Sequence, residues 1–481
     1  MSDVQQDLLL QSWTQRQELA ELILPIIGRL YRNNGIALRI YGRPINNVNS
    51  VDIIKTHRFA RQYTGQELPI QESFKLVQAM ETLDLAPARV DLGRLTNKYL
   101  EEKAAMSPAD FVRRELADIV GRNEPLLKEP RDIVLYGFGR IGRLVARLLI
   151  ERTGNGNKMR LRGIVVRKGK SNDLEKRAAL LRRDSVHGPF NGSITIDAEN
   201  SAIIANGNFI KVISAENPDK IDYPSYGIRN AIVIDNTGSW RDEAGLSQHL
   251  KSPGVARVLL TAPGKGSLKN IVFGVNCDSI TDDDKILSAA SCTTNAIVPV
   301  LKVVSDHFGI EHGHVETVHS YTNDQNLIDN YHKAQRRGRS APLNMVITET
   351  GAAKAAIKAL PELAGKLTGN AIRVPTPNVS IAILNLTLDK PTTRDDINAF
   401  LRECALSSKL EEQIDYTASS EIVSSDLVGS RHAGVIDSKA TIANGRNVVL
   451  YVWYDNEFGY SCQVVRIAQQ MAGIQFATFP V

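Results

Sequence analysis

A cysteine set among small hydroxyl residues, Ser291-Cys292-Thr293-Thr294-Asn295, is the part of this 481-residue chain whose residue types most directly offer chemistry. Lys285-Ile-Leu-Ser-Ala-Ala290 before it reads as a strand ending in small residues. Ala296-Ile-Val-Pro-Val-Leu-Lys-Val-Val304 after it reads as an apolar helix. A thiol at such a junction faces the helix's unbonded N–H groups and the positive end of its dipole, which favour thiolate. Alone, a cysteine at a helix start also reads as a small buried hydrophobe. A nucleophilic sulfur needs a basic partner, and Thr317-Val318-His319, ending a second short strand, supplies one. The competing reading of His319 is a hydrogen-bonded core histidine; polar Ser320 and Thr322 beside it favour the base.

Upstream, Asp132-Ile-Val-Leu-Tyr136 leads into Gly137-Phe138-Gly139-Arg140-Ile141-Gly142 and then Arg143-Leu-Val-Ala-Arg-Leu-Leu149. This is strand, glycine turn, amphipathic helix. Gly137 permits the tight turn, Gly139 lets a pyrophosphate approach the backbone, and Gly142 lets the helix pack closely on the strand. The helix N-terminus then binds the phosphates. Three glycines alone also mark ordinary turns; the strand before and helix after them make this a nucleotide site. A nicotinamide cofactor with a reactive thiol implies aldehyde oxidation: thiolate attack gives a thiohemiacetal, and a base takes its hydroxyl proton as hydride leaves. The resulting thioester is activated towards an acceptor.

Six ordered blocks carry a resemblance from about residue 131 to the end. They are Gly137 to Arg143, Ser291 to Asn295, His319-Ser-Tyr-Thr322-Asn-Asp-Gln325, Thr350-Gly351-Ala-Ala-Lys-Ala355, Arg373-Val-Pro-Thr-Pro-Asn378 and Trp453-Tyr-Asp-Asn456-Glu-Phe-Gly-Tyr460. The chain resembles the phosphorylating glyceraldehyde-3-phosphate dehydrogenases. That resemblance implies Cys292 as nucleophile and His319 as general base. It assigns Thr322 and Arg373 to the C3 phosphate of the substrate, and Ser291, Thr293, Thr350 and Gly351 to attacking inorganic phosphate. Arg337 or Arg339 in the run Lys333 to Arg339 is expected to face that anion, the alternatives being a solvated face or a subunit contact. Asn456 is expected to hold the nicotinamide carboxamide, with Thr237-Gly238 and Thr261-Ala262-Pro263 along the cofactor cleft. Hydroxyls, backbone N–H groups and a forked guanidinium suit phosphate oxygens independently of any family. Tyr454 and Tyr460 read as packing. The family also implies a homotetramer, an expectation that the extra N-terminal segment complicates.

Composition fits an enzyme of about three domains. Hydrophobic residues make up 43% of the chain, enough for sizeable cores, and the net charge of +5 is mild and scattered. No nucleic acid is implied as a partner. The four cysteines show no CxxC spacing, which argues against zinc and against a disulfide framework, so no metal is expected. The N-terminus lacks a basic n-region and no apolar run approaches about 18 residues, so no membrane partner is implied and cytoplasm is the expected compartment.

Residues 1–128 match nothing in the family pattern and read as an all-α N-terminal domain. Leu19, Leu22, Ile23, Ile26, Ile27 and Leu30 keep helical stripe spacing, with Pro25 interrupting or kinking that helix. Ser107-Pro108-Ala-Asp110 reads as an N-cap with Pro at the first helical position, and Gly121 as a stop. Seventeen acidic and seventeen basic residues leave residues 1–130 neutral. Alternating strands and helices make 129–291 a Rossmann NAD(P)-binding domain, completed by a C-terminal helix over 457–481. Residues 292–456 form an α+β catalytic domain, with period-two strands such as Val379-Ser-Ile-Ala-Ile-Leu-Asn-Leu-Thr-Leu388. The whole is an α/β chain.

Departures from the family bear on the cofactor. NAD-dependent members end the second Rossmann strand in an Asp that binds the adenine ribose; here Leu161-Arg-Gly-Ile-Val-Val-Arg167-Lys168-Gly-Lys170 places basic residues there. An acid excludes a 2′-phosphate and an Arg accommodates it. The Leu-Pro pair common in NAD-specific members is replaced by Asn330-Tyr331. Both changes point to NADP or dual use, against the plainer reading of Arg167 as a solvated strand end. Ala296 stands where many members carry a second Cys outside the mechanism. The expected reaction is oxidation of glyceraldehyde 3-phosphate with inorganic phosphate to 1,3-bisphosphoglycerate. Its rivals are erythrose-4-phosphate oxidation with water as acceptor, and a sensor or scaffold that keeps only nucleotide binding.

Overall fold

The structure, a computed structural model, describes residues 3–102, 106–122, 124–169 and 172–480. Lys170, one of the basic residues read at the cofactor strand end, lies outside them. The chain divides into two compact units, one of residues 1–130, 153–158 and 474–481, the other of 131–152 and 159–473.

In the first unit the helix Asp3–Arg29 passes through Pro25 without a break and continues into a π-helical turn, Leu30–Asn34. Ile23, Ile26, Ile27 and Leu30 of the expected stripe are buried, whereas Leu22 is exposed. Ser107 caps the helix Pro108–Glu115 by accepting from the Asp110 N–H at 3.2 Å. The N-terminal part is mostly helical, but it is not all-α. Its core holds a four-stranded sheet in the order 43–44, 37–40, 88–91 and 477–479. The two central strands have four residues each, too short for a period-two pattern to stand out beside the helical stripes. The last strand comes from the far end of the chain. The C-terminal segment is therefore not one helix over 457–481. Phe458–Met471 is helical, and Ala477–Phe479 pairs in parallel with Ala88–Val90, burying Phe479 in the core of the first unit.

The second unit is built on two sheets. In the first, strands 286–288, 255–260, 231–235, 131–136, 159–166 and 208–214 lie side by side in parallel, extended by antiparallel strands 202–205 and 194–197. Strand 131–136 is central and buried on both faces, which explains its continuous apolar run. The second sheet is mixed, in the order 346–348, 367–374, 310–320, 380–392, 442–454, 434–437 and 414–417. Its alternating strand 380–392 packs one face on the helix Cys292–Phe308. Among the described residues, no helix is long and apolar enough to cross a membrane, and no cluster of His, Cys, Asp or Glu is placed to hold a metal.

Candidate active site

Cys292 is the first residue of the helix Cys292–Phe308, and Ser291 caps it, its Oγ accepting from the Thr294 N–H at 3.0 Å. Ala290 turns the chain into the helix with φ +54°, a costly backbone for a residue with a Cβ. The turn is held on two sides. Tyr460 donates to the Ala290 carbonyl at 2.9 Å, and Asn295 Nδ2 donates to the carbonyls of Ala289 and Ser291 at 2.8 and 2.9 Å.

His319 stands one residue from the end of strand Ile310–Ser320, its Nε2 3.5 Å from Cys292 Sγ. Its Nδ1 is 2.7 Å from the Ser320 carbonyl. A proton on Nδ1 would go to that carbonyl and leave the Nε2 lone pair facing the thiol, while the Arg373 guanidinium, a donor only, approaches the same Nδ1. Burial, reinforced by the Arg373 charge, holds the imidazole down to about 3. Burial also pushes the Cys292 thiol up, against the pull of Arg373 and of the bonds from Thr293. The two groups put a proton and its acceptor in reach of each other.

Arg373 occupies the same register as His319 on the neighbouring parallel strand Leu367–Val374. Its Nη1 lies 2.9 Å from His319 Nδ1, 3.1 Å from the Ser320 carbonyl and 3.3 Å from Thr322 Oγ1. Its Nε is buried with no partner. An orphaned guanidinium donor is costly unless an anion takes it, so the residues fit a phosphate here. Asp324, which accepts from Thr322 and Arg337, also faces this group; burial would raise its carboxyl, but those bonds and both arginine charges hold it below the usual range.

The structure thus brings Cys292, His319, Thr322 and Arg373 together. Thr293 Oγ1 is engaged 2.9 Å from the buried Tyr454 hydroxyl. Arg337 donates to Thr348 Oγ1 from Nε and Nη2 at 3.1 and 3.0 Å and to Asp324, while Arg339 pairs with exposed Asp329, so Arg337 is the one of the two held near Arg373. Thr350 and Gly351 sit at the start of the helix Ala352–Ala359, where Thr350 Oγ1 accepts from the Ala352 N–H at 3.1 Å. Neither they nor Arg337 make a direct hydrogen bond to Cys292, His319 or Arg373.

The nucleotide cleft is lined by Gly137, Phe138, Gly139, Arg167 and Thr237 of the expected set, and also by Tyr136, Arg177, Glu216 and Trp240, which sequence reasoning missed. Gly137 holds φ +92°, and a Cβ on Gly142 would meet the Gly137 carbonyl at 2.5 Å. Nothing lies within 4 Å of a Cβ built on Gly139, so that backbone is open to a bound pyrophosphate. Arg140 is tied instead into an ion network, donating to Asp184 at 2.8 Å and to Glu457, which His187 also contacts at 3.1 Å. Thr261 Oγ1 donates to the Asp235 carbonyl at 3.1 Å, and Ile141 and Gly238 do not line this cleft. Asn456 is buried, its Oδ1 accepting from Ser380 at 2.9 Å, and that Ser380 hydroxyl in turn accepts from the Ser320 N–H. The nicotinamide candidate is therefore wired to the strand carrying the base. Tyr136, Glu216, Trp240 and Arg177 carried no spacing signal in the sequence.

Comparison with known proteins agrees with this geometry. Residues 131–243 match the glyceraldehyde 3-phosphate dehydrogenase NAD binding domain and residues 291–456 the C-terminal domain of the same enzyme. A glyceraldehyde-3-phosphate dehydrogenase-like protein of Pseudomonas aeruginosa is 63% identical over 460 residues, covering 95% of this chain and 100% of that protein, so the likeness runs through most of the N-terminal unit. Glyceraldehyde-3-phosphate dehydrogenases of Borreliella burgdorferi and Zymomonas mobilis are 40% and 38% identical, covering 70% and 71% of this chain and 99% and 98% of those proteins. These two are matched almost whole by about 70% of this chain. The chain belongs to the glyceraldehyde-3-phosphate dehydrogenase family of NAD-dependent oxidoreductases, with an added N-terminal region.

Proposed function

We propose that the chain is a phosphorylating dehydrogenase that oxidises glyceraldehyde 3-phosphate to 1,3-bisphosphoglycerate through a thioester on Cys292. The observation that carries this reading is Arg373, whose Nη1 lies 3.3 Å from Thr322 Oγ1 and 2.9 Å from the imidazole of the thiol–imidazole pair, and whose buried Nε has no partner. Arg373 and Thr322 hold the substrate's terminal phosphate, which sets the aldehyde carbon at Sγ. As Sγ adds to that carbon, the thiol proton passes to His319 Nε2 and on to the aldehyde oxygen. Nε2 then takes the hydroxyl proton back as hydride leaves the carbon, and the thioester remains. When bound, the nicotinamide accepts that hydride. Inorganic phosphate, received by Ser291, Thr293, Thr350, Gly351 and Arg337, attacks the thioester carbonyl, releases the acyl phosphate and returns the sulfur. Gly137, Phe138, Gly139 and Thr237 receive the dinucleotide, Gly142 lets the helix close on the glycine turn, and Thr261 and Asn456 complete the binding set.

Arg167 in the cleft supports use of NADP besides NAD, because it follows the strand Met159–Val166 where an acid would exclude a 2′-phosphate. The loop around 327–345 supports assembly with further copies of the chain: Leu327, Ile328, Tyr331, Leu343 and Met345 are each more than 70% exposed. Turnover of glyceraldehyde 3-phosphate and erythrose 4-phosphate, each with and without inorganic phosphate, tests the reaction. Phosphate-dependent reduction with the triose preferred is the expected result. Phosphate-independent oxidation of the tetrose would assign the rival reaction, and no reduction of either cofactor would leave only nucleotide binding.

A further inference from the structure

Arg177 is the cleft residue that neither the glycine loop nor the family blocks account for. It stands on the helix Asp173–Arg182, whose sequence reads as charged surface, yet its side chain lines the nucleotide cleft together with Gly137, Gly139, Arg167 and Glu216. Two contacts fix its guanidinium. Nε donates to Asp173 Oδ2 at 2.7 Å, and Nη2 donates to the Arg167 carbonyl at 3.4 Å. Nη1 has no hydrogen-bond partner among the described residues. The second contact ties Arg177 to the backbone of Arg167 itself, so both residues line the cleft next to the second strand, where a dinucleotide's adenosine half falls.

Glu216 also lines the cleft, and its carboxylate alone would repel a phosphate on the ribose. One guanidinium would be largely spent in offsetting it. Two, one of them paired with Asp173, balance both carboxylates and leave a fork of donors for a dianion. Building on the proposed use of NADP, we propose that Arg177 is a specificity-determining residue, forming with Arg167 a two-arginine clamp for the 2′-phosphate of the adenosine ribose. Asp173 positions it. A fixed guanidinium loses less freedom on binding than a free one, which is what an ion pair behind the binding face supplies.

The test is calorimetric titration of the full chain with adenosine 2′,5′-bisphosphate and with 5′-AMP, which differ only in the 2′-phosphate. The wild type should bind the bisphosphate more tightly. Arg177→Met should weaken it about tenfold or more while 5′-AMP binding, which reports that the cleft is still folded, stays within about twofold. Asp173→Asn should give a smaller loss of the same kind, and Arg177→Lys a partial recovery. Arg177→Met that keeps the bisphosphate preference, while Arg167→Met loses it, would overturn the role of Arg177 and leave NADP use standing. A wild type with no preference for the bisphosphate would overturn NADP use and the clamp together.

Discussion

His319 and Arg373 stand at one register on two parallel strands, imidazole Nδ1 2.9 Å from guanidinium Nη1. One positive charge therefore acts on both members of the reacting pair. It disfavours a proton on His319 and favours loss of one from Cys292. A substrate phosphate seated on the same guanidinium would offset that charge and make the imidazole a stronger base once substrate has arrived.

Replacing Arg373 with Met should therefore move two observables. The Cys292 thiol should titrate at higher pH, so the pH profile of iodoacetamide alkylation shifts upward and the rate near neutrality falls. Loss of the charge-assisted contacts should also lower kcat/KM for the phosphorylated aldehyde by about 1.5–3 kcal/mol, roughly tenfold to a hundredfold. An alkylation profile identical to wild type would show that Arg373 does not act on the sulfur.

Cys292→Ser should abolish dehydrogenase turnover by several orders of magnitude and leave cofactor binding intact, because an alcohol is scarcely ionised at neutral pH. Cys277, Cys404 and Cys462 are buried away from the base, and burial pushes each thiol up, so serine there should spare turnover. Steady-state rates of the four variants decide it; activity surviving in Cys292→Ser would end the covalent mechanism.

The reacting groups were legible because their chemistry is local: a thiol at a helix start, a histidine at a strand end and glycines at a turn each leave a short pattern. What joins them was not. Arg373 meets His319 only through the pairing of strands separated by about fifty residues, and no spacing rule shows which strands become neighbours. Arg177 was hidden for the opposite reason, since its helix carries charge along its length and only the cleft shows which charge faces inward. The N-terminal sheet failed at the level of pattern, its strands being four residues or fewer and its outer member coming from 477–479. Strand pairing at such distance is a tertiary choice, invisible to local propensity.

Arg167→Asp should lower efficiency with NADP by roughly tenfold or more relative to NAD, by losing a charge-assisted contact and adding a repulsion. The ratio of kcat/KM for the two cofactors is the measurement. An unchanged ratio would place Arg167 in solvent rather than at the ribose.

His57 is buried in the first unit with Nδ1 2.8 Å from the Ile53 carbonyl and Nε2 without a partner, so charging it would strand an N–H in apolar surroundings. Burial holds its imidazole down to about 4, against the bond to Ile53. The unfolded chain takes up this proton near the ordinary value of about 6.5 and the folded one does not. Stability is therefore full above about pH 6.5 and falls as pH drops towards 4, by up to about 1.4 kcal/mol per unit for this one group. His57→Phe should flatten that acid limb in denaturant unfolding followed between pH 7 and 4. An acid limb as steep as wild type would assign the sensitivity to other groups.

The C-terminal strand gives the prediction furthest from the active site. Ala477–Phe479 supplies the edge strand of the sheet in the first unit, and Phe479 is 3% exposed among residues such as Val90 and Leu92. Removing the ring should cost about 3–5 kcal/mol, as large-to-small changes in packed cores do. Phe479→Ala should therefore speed hydrogen exchange at the amides of 37–40 and 88–91, while binding of cofactor, whose residues lie between 136 and 456, stays within about twofold. The same pairing governs how the chain can be shortened. A chain beginning at Lys128 keeps 477–479 as an unpaired edge with an exposed Phe479, an invitation to aggregate. Ending that chain at Gly473 as well should restore solubility, measured as the monodisperse fraction in size-exclusion with light scattering. Equal aggregation with and without the tail would show that the strand is not what the N-terminal residues protect.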